Sequence, residues 1–345
     1  MNKLRYPEKK YLSTYELSSS FFRELGIKVI DITPLRKVFI LKTEEGNKIL
    51  KKVNYGIERL EFIDKCIEGI HKNFPNIISF NSFKDGKKYK LWKGSYYIVM
   101  DLIPGREATF TNPIELNLCA KTLGSMHIAS KKILKDFDLN ENIEKSLINK
   151  YIESLEDILK IKDLIESYKY RNEFDNLFYG QIDECIDEMK KAIELIKYSG
   201  YRLYRENMKN VVVCHNDLAE HNFLYANDEM YLIDFDYCSI DLRIMDVADL
   251  ILKGIKEAAF DFEKAIDVIK AYDSVYQIDK EEYKYIYILL LFPRDIYSIA
   301  KDYYHKQKGW DEEVFVNRLK MKLINEEFRR GFLKKYKEVF KEKFN

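Results

Sequence analysis

Apolar and polar residues alternate along two neighbouring stretches near the start of the chain. Residues 38–43 read VFILKT, residues 48–53 read KILKKV, and Glu45-Gly46-Asn47 stand between them. A period of two on either side of a glycine-containing turn is typical of a β-hairpin. A third apolar run covers residues 96–100 and stops before the chain-breaking pair Pro104-Gly105. The pattern predicts a small β-rich lobe at residues 1–104.

Apolar residues recur at helical intervals after this hairpin. Residues 57–73 carry a stripe of residues three or four positions apart, which predicts an amphipathic helix: Leu60, Ile63, Ile67 and Ile70. Pro113 opens another helix after a Thr-Asn cap, and residues 261–340 repeat the helical spacing among many charges. We therefore expect an α+β fold whose larger, mainly helical C-terminal lobe spans residues 105–345, with a helical insert at about 141–200.

A strand pattern returns within the helical part and delivers polar residues to strand ends. The apolar run at residues 211–214 leads into His215-Asn216-Asp217, and Asn222 follows five residues after Asp217. A second hairpin, with Asn227-Asp228 as its turn, leads into Asp234-Phe235-Asp236. Carboxylates and a carboxamide are thereby expected at adjoining strand ends.

The chemistry of this group follows from its charges. Two carboxylates about 4 Å apart repel by roughly 4 kcal/mol at an effective dielectric near 20, so a cation is expected among Asp217, Asp234 and Asp236. Mg²⁺ prefers oxygen ligands and combines one or two carboxylates with substrate phosphates, which suits Asn222 and Asp234, with Asp236 as a further metal-site residue. Asp217 is then left to accept a proton from an attacking hydroxyl. The pattern predicts phosphoryl transfer.

The motif His-x-Asp-x-x-x-x-Asn followed by Ile-Asp-Phe-Asp resembles the catalytic and metal-binding loops of the aminoglycoside phosphotransferase and choline kinase group, which share the protein-kinase-like fold. Other segments are similar to the CotS family of bacterial spore coat proteins: LKKV from residue 50, IERLEFI from 57, YYIVMDLIPGRE from 96, LGSMH from 123 and IDFDYCSIDLRIMDVADL from 233. The similar segments are spread over residues 25–305. The resemblance implies a bilobal fold that binds ATP or another nucleoside triphosphate together with Mg²⁺.

The resemblance also assigns the nucleotide-binding lysine. Lys51 is the candidate for contacting the α- and β-phosphates, and Lys52, on the opposite face of the strand, is its competitor. In this fold a helix glutamate fixes the lysine by an ion pair, and Glu58 and Glu61 remain the two candidates. The first hairpin contains no GxGxxG motif, which argues against a typical protein kinase.

Five further positions take their roles from the resemblance. The adenine is expected to bind the backbone at Asp101 and Ile103, with Met100 behind it. His215 is expected to be a hydrogen-bonding residue of the catalytic loop, and Asp246 resembles the buried aspartate that supports this loop through backbone amides.

Composition narrows the class of protein. Lys+Arg of 58 against Asp+Glu of 57 predicts no nucleic-acid partner. Five scattered cysteines without a CxxC pair predict neither a disulfide framework nor a zinc site. The first residues lack an apolar signal core, and the longest apolar run, residues 286–292, is too short to cross a membrane. We expect a protein made in the cytoplasm, by resemblance that of the mother cell of a spore-former, with incorporation into the spore coat left open.

Three functions remain open from the sequence. The first is an ATP- and Mg²⁺-dependent phosphotransferase that acts on a hydroxyl of an unknown small or surface-bound acceptor. The second is a catalytically silent structural or assembly protein of the spore coat, which would partner other coat proteins. The third, a metal-dependent hydrolase built on His215, Asp217, His221 and Asp234, is disfavoured because the chain has only five histidines.

Overall fold

Residues 17–138 and 146–344 are described by the computed structural model of this chain, and they fall into two units. Unit 1 comprises Met1–Glu107 together with Asn222–Asp236, and unit 2 comprises Ala108–His221 together with Tyr237–Asn345. The second hairpin predicted from the sequence therefore belongs to the same unit as the N-terminal strands, although both of its flanks belong to the other unit.

An antiparallel five-stranded sheet, in the order β1-β2-β3-β5-β4, is the main feature of unit 1. The predicted hairpin is confirmed as β2 and β3, and the predicted run at residues 96–100 lies in β5. Among the described residues of this unit, the sheet strands and the α-helices have these bounds: β1 Val29–Leu35, β2 Val38–Thr43, β3 Gly46–Val53, β4 Lys90–Trp92, β5 Ser95–Asp101, α1 Ser19–Leu25 and α2 Ile57–His71.

Side-chain alternation on β3 separates a core face from a polar face. Leu50 is completely buried and packs with Phe39 of β2 and Phe21 of α1 in one hydrophobic cluster. Because neighbouring residues of a strand point to opposite faces, Ile49 and Lys51 lie on the other face. The four helix residues predicted to form an apolar stripe in α2 are all buried.

A smaller three-stranded sheet completes unit 1. It contains β6 Arg106–Glu107, β8 Phe223–Ala226 and β9 Glu229–Leu232, in the order β6-β8-β9. Asn227 and Asp228 both adopt positive φ, 52° and 61°, as a tight two-residue hairpin turn requires. The predicted second hairpin is thereby confirmed. Gly105 immediately precedes β6, and its backbone lies close to that of β8. A Cβ atom on this residue would lie 2.8 Å from the carbonyl oxygen of Tyr225.

Unit 2 is mainly helical and contains one two-stranded antiparallel sheet, formed by β7 Val211–Cys214 and β10 Ser239–Leu242. Its helices have these bounds: α3 Pro113–Lys131, α4 Leu147–Ser167, α5 Glu173–Tyr198, α6 Tyr201–Glu206, α7 Ile244–Ile255, α8 Phe262–Asp273, α9 Glu282–Leu291, α10 Arg294–Tyr304 and α11 Glu312–Val339. Helix α3 packs on α8, α4 on α5, and α7 on both α8 and α9.

Local sequence signals set several of these helix ends. Asn112 caps α3 by accepting a hydrogen bond from the backbone amide of Ile114 at 3.0 Å, and Pro113 occupies the first turn, as predicted. Helices α4 and α5 occupy most of the predicted insert at 141–200, of which residues 141–145 lie outside the described part.

The predicted fold class is confirmed: a β-rich N-terminal part is followed by a larger, mainly helical part. None of the five cysteines, all of which lie in the described residues, forms a disulfide. Among the helices described, none combines the length and the apolar character that crossing a bilayer requires.

Candidate functional site

Lys51 lies at the centre of an ion-pair cluster in unit 1. Its Nζ atom is 2.8 Å from Oδ1 of Asp234 and 2.6 Å from Oδ2 of Asp236. Burial acts to lower the pKa of Lys51, but attraction by the two carboxylates outweighs it and raises the pKa above its usual value. The ammonium group is therefore held in its charged form between both aspartates.

Asp236 is fixed from two more directions. The hydroxyl of Tyr55 donates to its Oδ1 at 2.9 Å, and Arg59 donates from Nη2 to its backbone carbonyl at 2.8 Å. Burial and the neighbouring carboxylate raise the pKa of Tyr55 well above its usual value, so the phenol keeps its proton. Sequence reasoning did not identify Tyr55 or Arg59: Tyr55 lies outside the similar segments, and Arg59 lies within the segment IERLEFI, which gave no sign of its contact with Asp236.

The glutamates proposed as partners of Lys51 lie elsewhere on α2. Glu58 is exposed in the first turn, and Glu61 accepts a hydrogen bond of 3.4 Å from the hydroxyl of Tyr89. In the described part of the chain, the ion pairs of Lys51 are with Asp234 and Asp236 and with neither glutamate. A Lys51–Glu pair therefore stays a prediction. The competitor Lys52 forms no ion pair among the described residues.

Asn222, Asp234 and Asp236, the predicted metal ligands, belong to one unit. Asn222 is 2% exposed, and its backbone carbonyl oxygen accepts a hydrogen bond from the backbone amide of Ile233 at 2.9 Å. Asp234 adopts a φ of +66°, in the left-handed region that non-glycine residues rarely occupy. Carboxylate and carboxamide oxygens are the donors that Mg²⁺ takes, so the chemistry of these residues fits that ion.

The residues expected near the adenine lie at the end of β5 and just after it. Met100 is 8% exposed and pairs with Ile49 of β3. The side chain of Asp101 is engaged by Lys48 at 2.7 Å, and this hydrogen bond holds the pKa of Asp101 below its usual value. The carbonyl of Ile103 accepts from the amide of Gly105 at 2.8 Å. Adenine binding at these positions stays a prediction.

The loop that carries Asp217 is organised by two buried residues of unit 2. The carboxylate of Asp246 accepts hydrogen bonds from the backbone amides of His215, at 2.6 Å, and Asn216, at 2.8 Å. The ring of His215 accepts in turn from the amide of Asp217 at 3.2 Å. These bonds fix the backbone on both sides of Asn216, which has a φ of +64°.

His127 is a further hydrogen-bond partner of Asp246. Its Nε2 atom is 3.0 Å from Oδ2 of Asp246, and its Nδ1 atom is 2.8 Å from the hydroxyl of Tyr272. His127 is thus a buried histidine whose two ring nitrogens both have hydrogen-bond partners. Cys214 lies close enough to His127 and Asp246 for the three to hold a metal, but its thiol donates to the carbonyl of Leu242 at 3.3 Å.

Asp217 is held by a second ionic cluster that sequence reasoning missed. Lys253 of α7 places its Nζ atom 2.7 Å from Oδ1 of Asp217 and 2.9 Å from Oδ2 of Asp249. Asp249 also accepts from the amide of Leu218 at 3.1 Å and pairs with Arg294 at 2.8 Å. The i,i+4 spacing of Asp249 and Lys253 was the one signal in the sequence, and it does not identify Asp217 as a shared partner.

The hydrolase alternative finds little support in the geometry around its histidines. His215 is completely buried and supports the loop backbone, whereas His221 is exposed. A catalytic zinc site needs several histidine or carboxylate ligands that face a solvent-accessible position.

Comparisons with known proteins agree with this arrangement. Spore coat protein S of Bacillus subtilis (strain 168) is 24% identical to the chain over 313 residues, which are 89% of this chain and 88% of that protein. An aminoglycoside phosphotransferase from Alicyclobacillus acidocaldarius subsp. acidocaldarius DSM 446 superimposes with a TM-score of 0.82 at 18% identity, over 94% of this chain and 97% of that chain. Amicoumacin kinase hAmiN, solved with AMP-PNP, Ca²⁺ and Ami, has a TM-score of 0.60 at 16% identity, over 96% and 94%.

These likenesses confirm the predicted resemblance. The chain is a homologue of spore coat protein S with the protein-kinase-like fold of the aminoglycoside phosphotransferases and choline kinases. Residues 106–309, more than half of the sequence, match the family model described as choline/ethanolamine kinase. The chain therefore belongs to the choline/ethanolamine kinase family.

Proposed function

We propose that this chain is an ATP- and Mg²⁺-dependent phosphotransferase that transfers the γ-phosphoryl group to the hydroxyl of an alcohol. The observation that carries the proposal is that Lys51 forms ion pairs with both Asp234 and Asp236. A protein without nucleotide chemistry has no need to keep two carboxylates in contact with a largely buried ammonium, because such clusters cost desolvation energy. In phosphoryl transfer this same set holds the cation and the phosphates.

The residues divide the reaction between them. Lys51 binds the nucleotide phosphates, and Mg²⁺ held by Asn222, Asp234 and Asp236 would neutralise phosphate charge. The hydroxyl oxygen of the acceptor forms a bond to the γ-phosphorus, and Asp217 accepts the proton that this hydroxyl loses. The bond between that phosphorus and the β,γ-bridging oxygen breaks, and ADP leaves with the bonding electron pair.

We further propose that the protein becomes part of the spore coat, because its relative of 24% identity carries the name spore coat protein S. The same relative supports the second candidate, a coat assembly protein that has kept the fold without catalysis. The two candidates make opposite predictions about nucleotide binding.

Calorimetric titration with ATP, with and without Mg²⁺, distinguishes the two. The parent should bind Mg²⁺·ATP, and Asp234→Ala should lose the part of the affinity that depends on the metal. Asp85→Ala is the matched control, because Asp85 is an exposed carboxylate of the same unit. If the parent does not bind ATP at all, the coat assembly function is favoured and catalysis is rejected.

A further inference from the structure

The surroundings of Asp217 bear on which alcohol the protein accepts. Within unit 2, Asp217 forms an ion pair with Lys253. Lys253 also contacts Asp249, which in turn forms an ion pair with Arg294. An acceptor hydroxyl has to come within hydrogen-bonding distance of Asp217 to lose its proton there. The substituents of that acceptor will therefore lie beside the Lys253 ammonium.

Lys253 has donor capacity beyond its two protein contacts. An ammonium group carries three protons, and the described contacts of Lys253 use two of them, toward Asp217 and Asp249. Its side chain is 18% exposed, so the residue is not closed off from solvent. The Lys253–Asp217 pair carries no net charge, but a ligand group close to the ammonium still meets a positive charge.

Arg294 supplies a second cation on the same carboxylate. Its Nη2 atom contacts Oδ1 of Asp249, while Lys253 contacts Oδ2, so both cations are held on opposite oxygens of one side chain. Asp249 is only 7% exposed and Arg294 is 48% exposed. The carboxylate is therefore the buried anchor, and the Arg294 side chain is partly exposed. A guanidinium offers a planar set of donors that matches carboxylate and phosphate oxygens.

The charges of this cluster balance before a substrate binds. Asp217 and Asp249 contribute two negative charges, and Lys253 and Arg294 contribute two positive charges. A cationic alcohol would gain no net attraction and would be repelled at close range by Lys253. Because the cluster as a whole is neutral, its preference is set at close range: an anionic group that accepts the remaining N–H of Lys253 gains a charge-assisted hydrogen bond, while its hydroxyl meets Asp217.

We propose that Lys253 and Arg294 form an anion-binding pair, and that the acceptor is an alcohol bearing a carboxylate or a phosphate. The inference rests on the proposed phosphotransferase function, because it takes Asp217 to be the residue that receives the hydroxyl proton. An acceptor of this class differs from a cationic amino alcohol, which the Lys253 ammonium beside Asp217 would repel.

Four small alcohols that differ in charge test the proposal on the full chain. They are glycerol, D-glycerate, glycerol 3-phosphate and 3-amino-1,2-propanediol, which are neutral, carboxylated, phosphorylated and cationic. Two quantities are measured for each: the affinity in the absence of ATP, and kcat/KM for alcohol-dependent ADP release with Mg²⁺·ATP. At least one anionic alcohol should exceed glycerol about tenfold in both, and the amine should be the poorest of the four. Comparison of the two anions identifies the preferred group.

Variants of Lys253 separate an anion site from a purely structural ion pair. Lys253→Met should remove the tenfold preference, Lys253→Arg should retain most of it, and Lys190→Met, which changes an exposed lysine of α5, should have no effect. A preference that survives in Lys253→Met, or equal binding of the amine and the anions, would overturn the proposal. Anion-selective binding without any ADP release would support the anion site and reject the phosphotransferase function. ADP release without charge preference would do the reverse.

Discussion

The Nε2 atom of His127 lies 3.0 Å from Oδ2 of Asp246, and both side chains are completely buried. Burial lowers the pKa of His127 below its usual value, and the neighbouring carboxylate opposes this effect without overcoming it. The neutral ring then donates from Nε2 to Asp246 and accepts at Nδ1 from Tyr272. Asp246 also accepts from the amides of His215 and Asn216, so the neutral histidine contacts the residue that supports the loop carrying Asp217.

The lowered pKa predicts a loss of stability under mildly acidic conditions. The unfolded chain takes up the histidine proton near pH 6.5, whereas the folded chain resists it to a lower pH. The free energy of unfolding should therefore fall as the pH decreases below about 6.5, toward the folded-state pKa. Urea unfolding of the parent and of His127→Gln between pH 7.5 and 5 would measure this effect.

The variant should lose this part of the pH dependence, so that the difference between the two proteins shrinks as the pH falls. The exposed His221→Gln is the control for replacing a histidine by glutamine at the surface. A constant difference between parent and His127→Gln over the whole range would contradict a lowered pKa.

Lys51 forms ion pairs with Asp234 and Asp236, the two carboxylates that are proposed to hold the metal. In the absence of nucleotide, Lys51→Met should therefore raise the affinity for Mn²⁺ about tenfold, because removing one positive charge at a partly solvated site is worth on the order of 1.4 kcal/mol. The same variant should weaken binding of Mg²⁺·ATP. Electron paramagnetic resonance of Mn²⁺ and calorimetry with Mg²⁺·ATP measure the two affinities.

Lys48→Met provides a matched control on the same strand, because Lys48 pairs with Asp101 at 2.7 Å. It should leave the Mn²⁺ affinity unchanged. An unchanged Mn²⁺ affinity in Lys51→Met would mean that lysine and metal use different oxygens.

Asp217→Asn tests the role of the proposed base. The amide keeps the shape of the side chain but cannot take a proton, so kcat should fall by a factor of about 10² to 10⁴. The affinity for Mg²⁺·ATP should stay within about twofold, since Asp217 is assigned no contact with the nucleotide. Acceptor-dependent ADP release measures the first quantity and calorimetry the second. Turnover within threefold of the exposed control Asp228→Asn would exclude Asp217 as the base.

Arg243 and Glu282 form a buried ion pair at the N-terminal ends of α7 and α9. The guanidinium contacts both carboxylate oxygens, at 2.6 and 2.7 Å, and the two side chains are 2% and 1% exposed. Arg243→Met should lower the free energy of unfolding by about 3–5 kcal/mol, because it leaves a buried carboxylate without its cation. The double variant Arg243→Met/Glu282→Leu should recover part of this loss in urea unfolding. A loss below about 1 kcal/mol in the single variant would contradict the prediction.

Two glycines should respond to alanine in opposite directions. In Gly105→Ala the new Cβ would lie 2.8 Å from a backbone oxygen and 3.0 Å from Cβ of Ala226, so the β6–β8 pairing has to shift. The expected cost is about 1–3 kcal/mol. Gly180 lies exposed within α5 with nothing near a new Cβ atom, and Gly180→Ala should stabilise the protein by about 0.5–1 kcal/mol. Thermal unfolding of both variants would compare them, and equal shifts would be inconsistent with the close approach at Gly105.

Features that depend on neighbouring residues were accessible from the sequence. The alternation along β3 placed Lys51 opposite the buried Leu50, and the Asn227-Asp228 turn delivered Asp234 to the end of its hairpin. Each follows from a period of two or from turn chemistry within a few residues. The capped start of α3 at Pro113 belongs to the same class.

Features that depend on distant residues were not accessible. Lys253 lies 36 residues after Asp217, and nothing in the local sequence of α7 indicates which carboxylate it contacts. The same holds for the contact of Tyr55 with Asp236, 181 residues away. Helix α7 begins at Ile244 because Leu242 pairs with Val211 as the last residue of β10, a partner 31 residues earlier in the chain. Tertiary pairing decided each of these outcomes.

Unit 1 is discontinuous in sequence, and this has a consequence for the order in which the protein can be completed during synthesis. A ribosome that has made the first 107 residues has made Lys51 but none of the residues Asn222–Asp236 that belong to the same unit. More than a hundred further residues must therefore be made before this lysine can meet its carboxylates. For the same reason, a fragment that ends after β6 would carry the lysine and lack Asn222, Asp234 and Asp236.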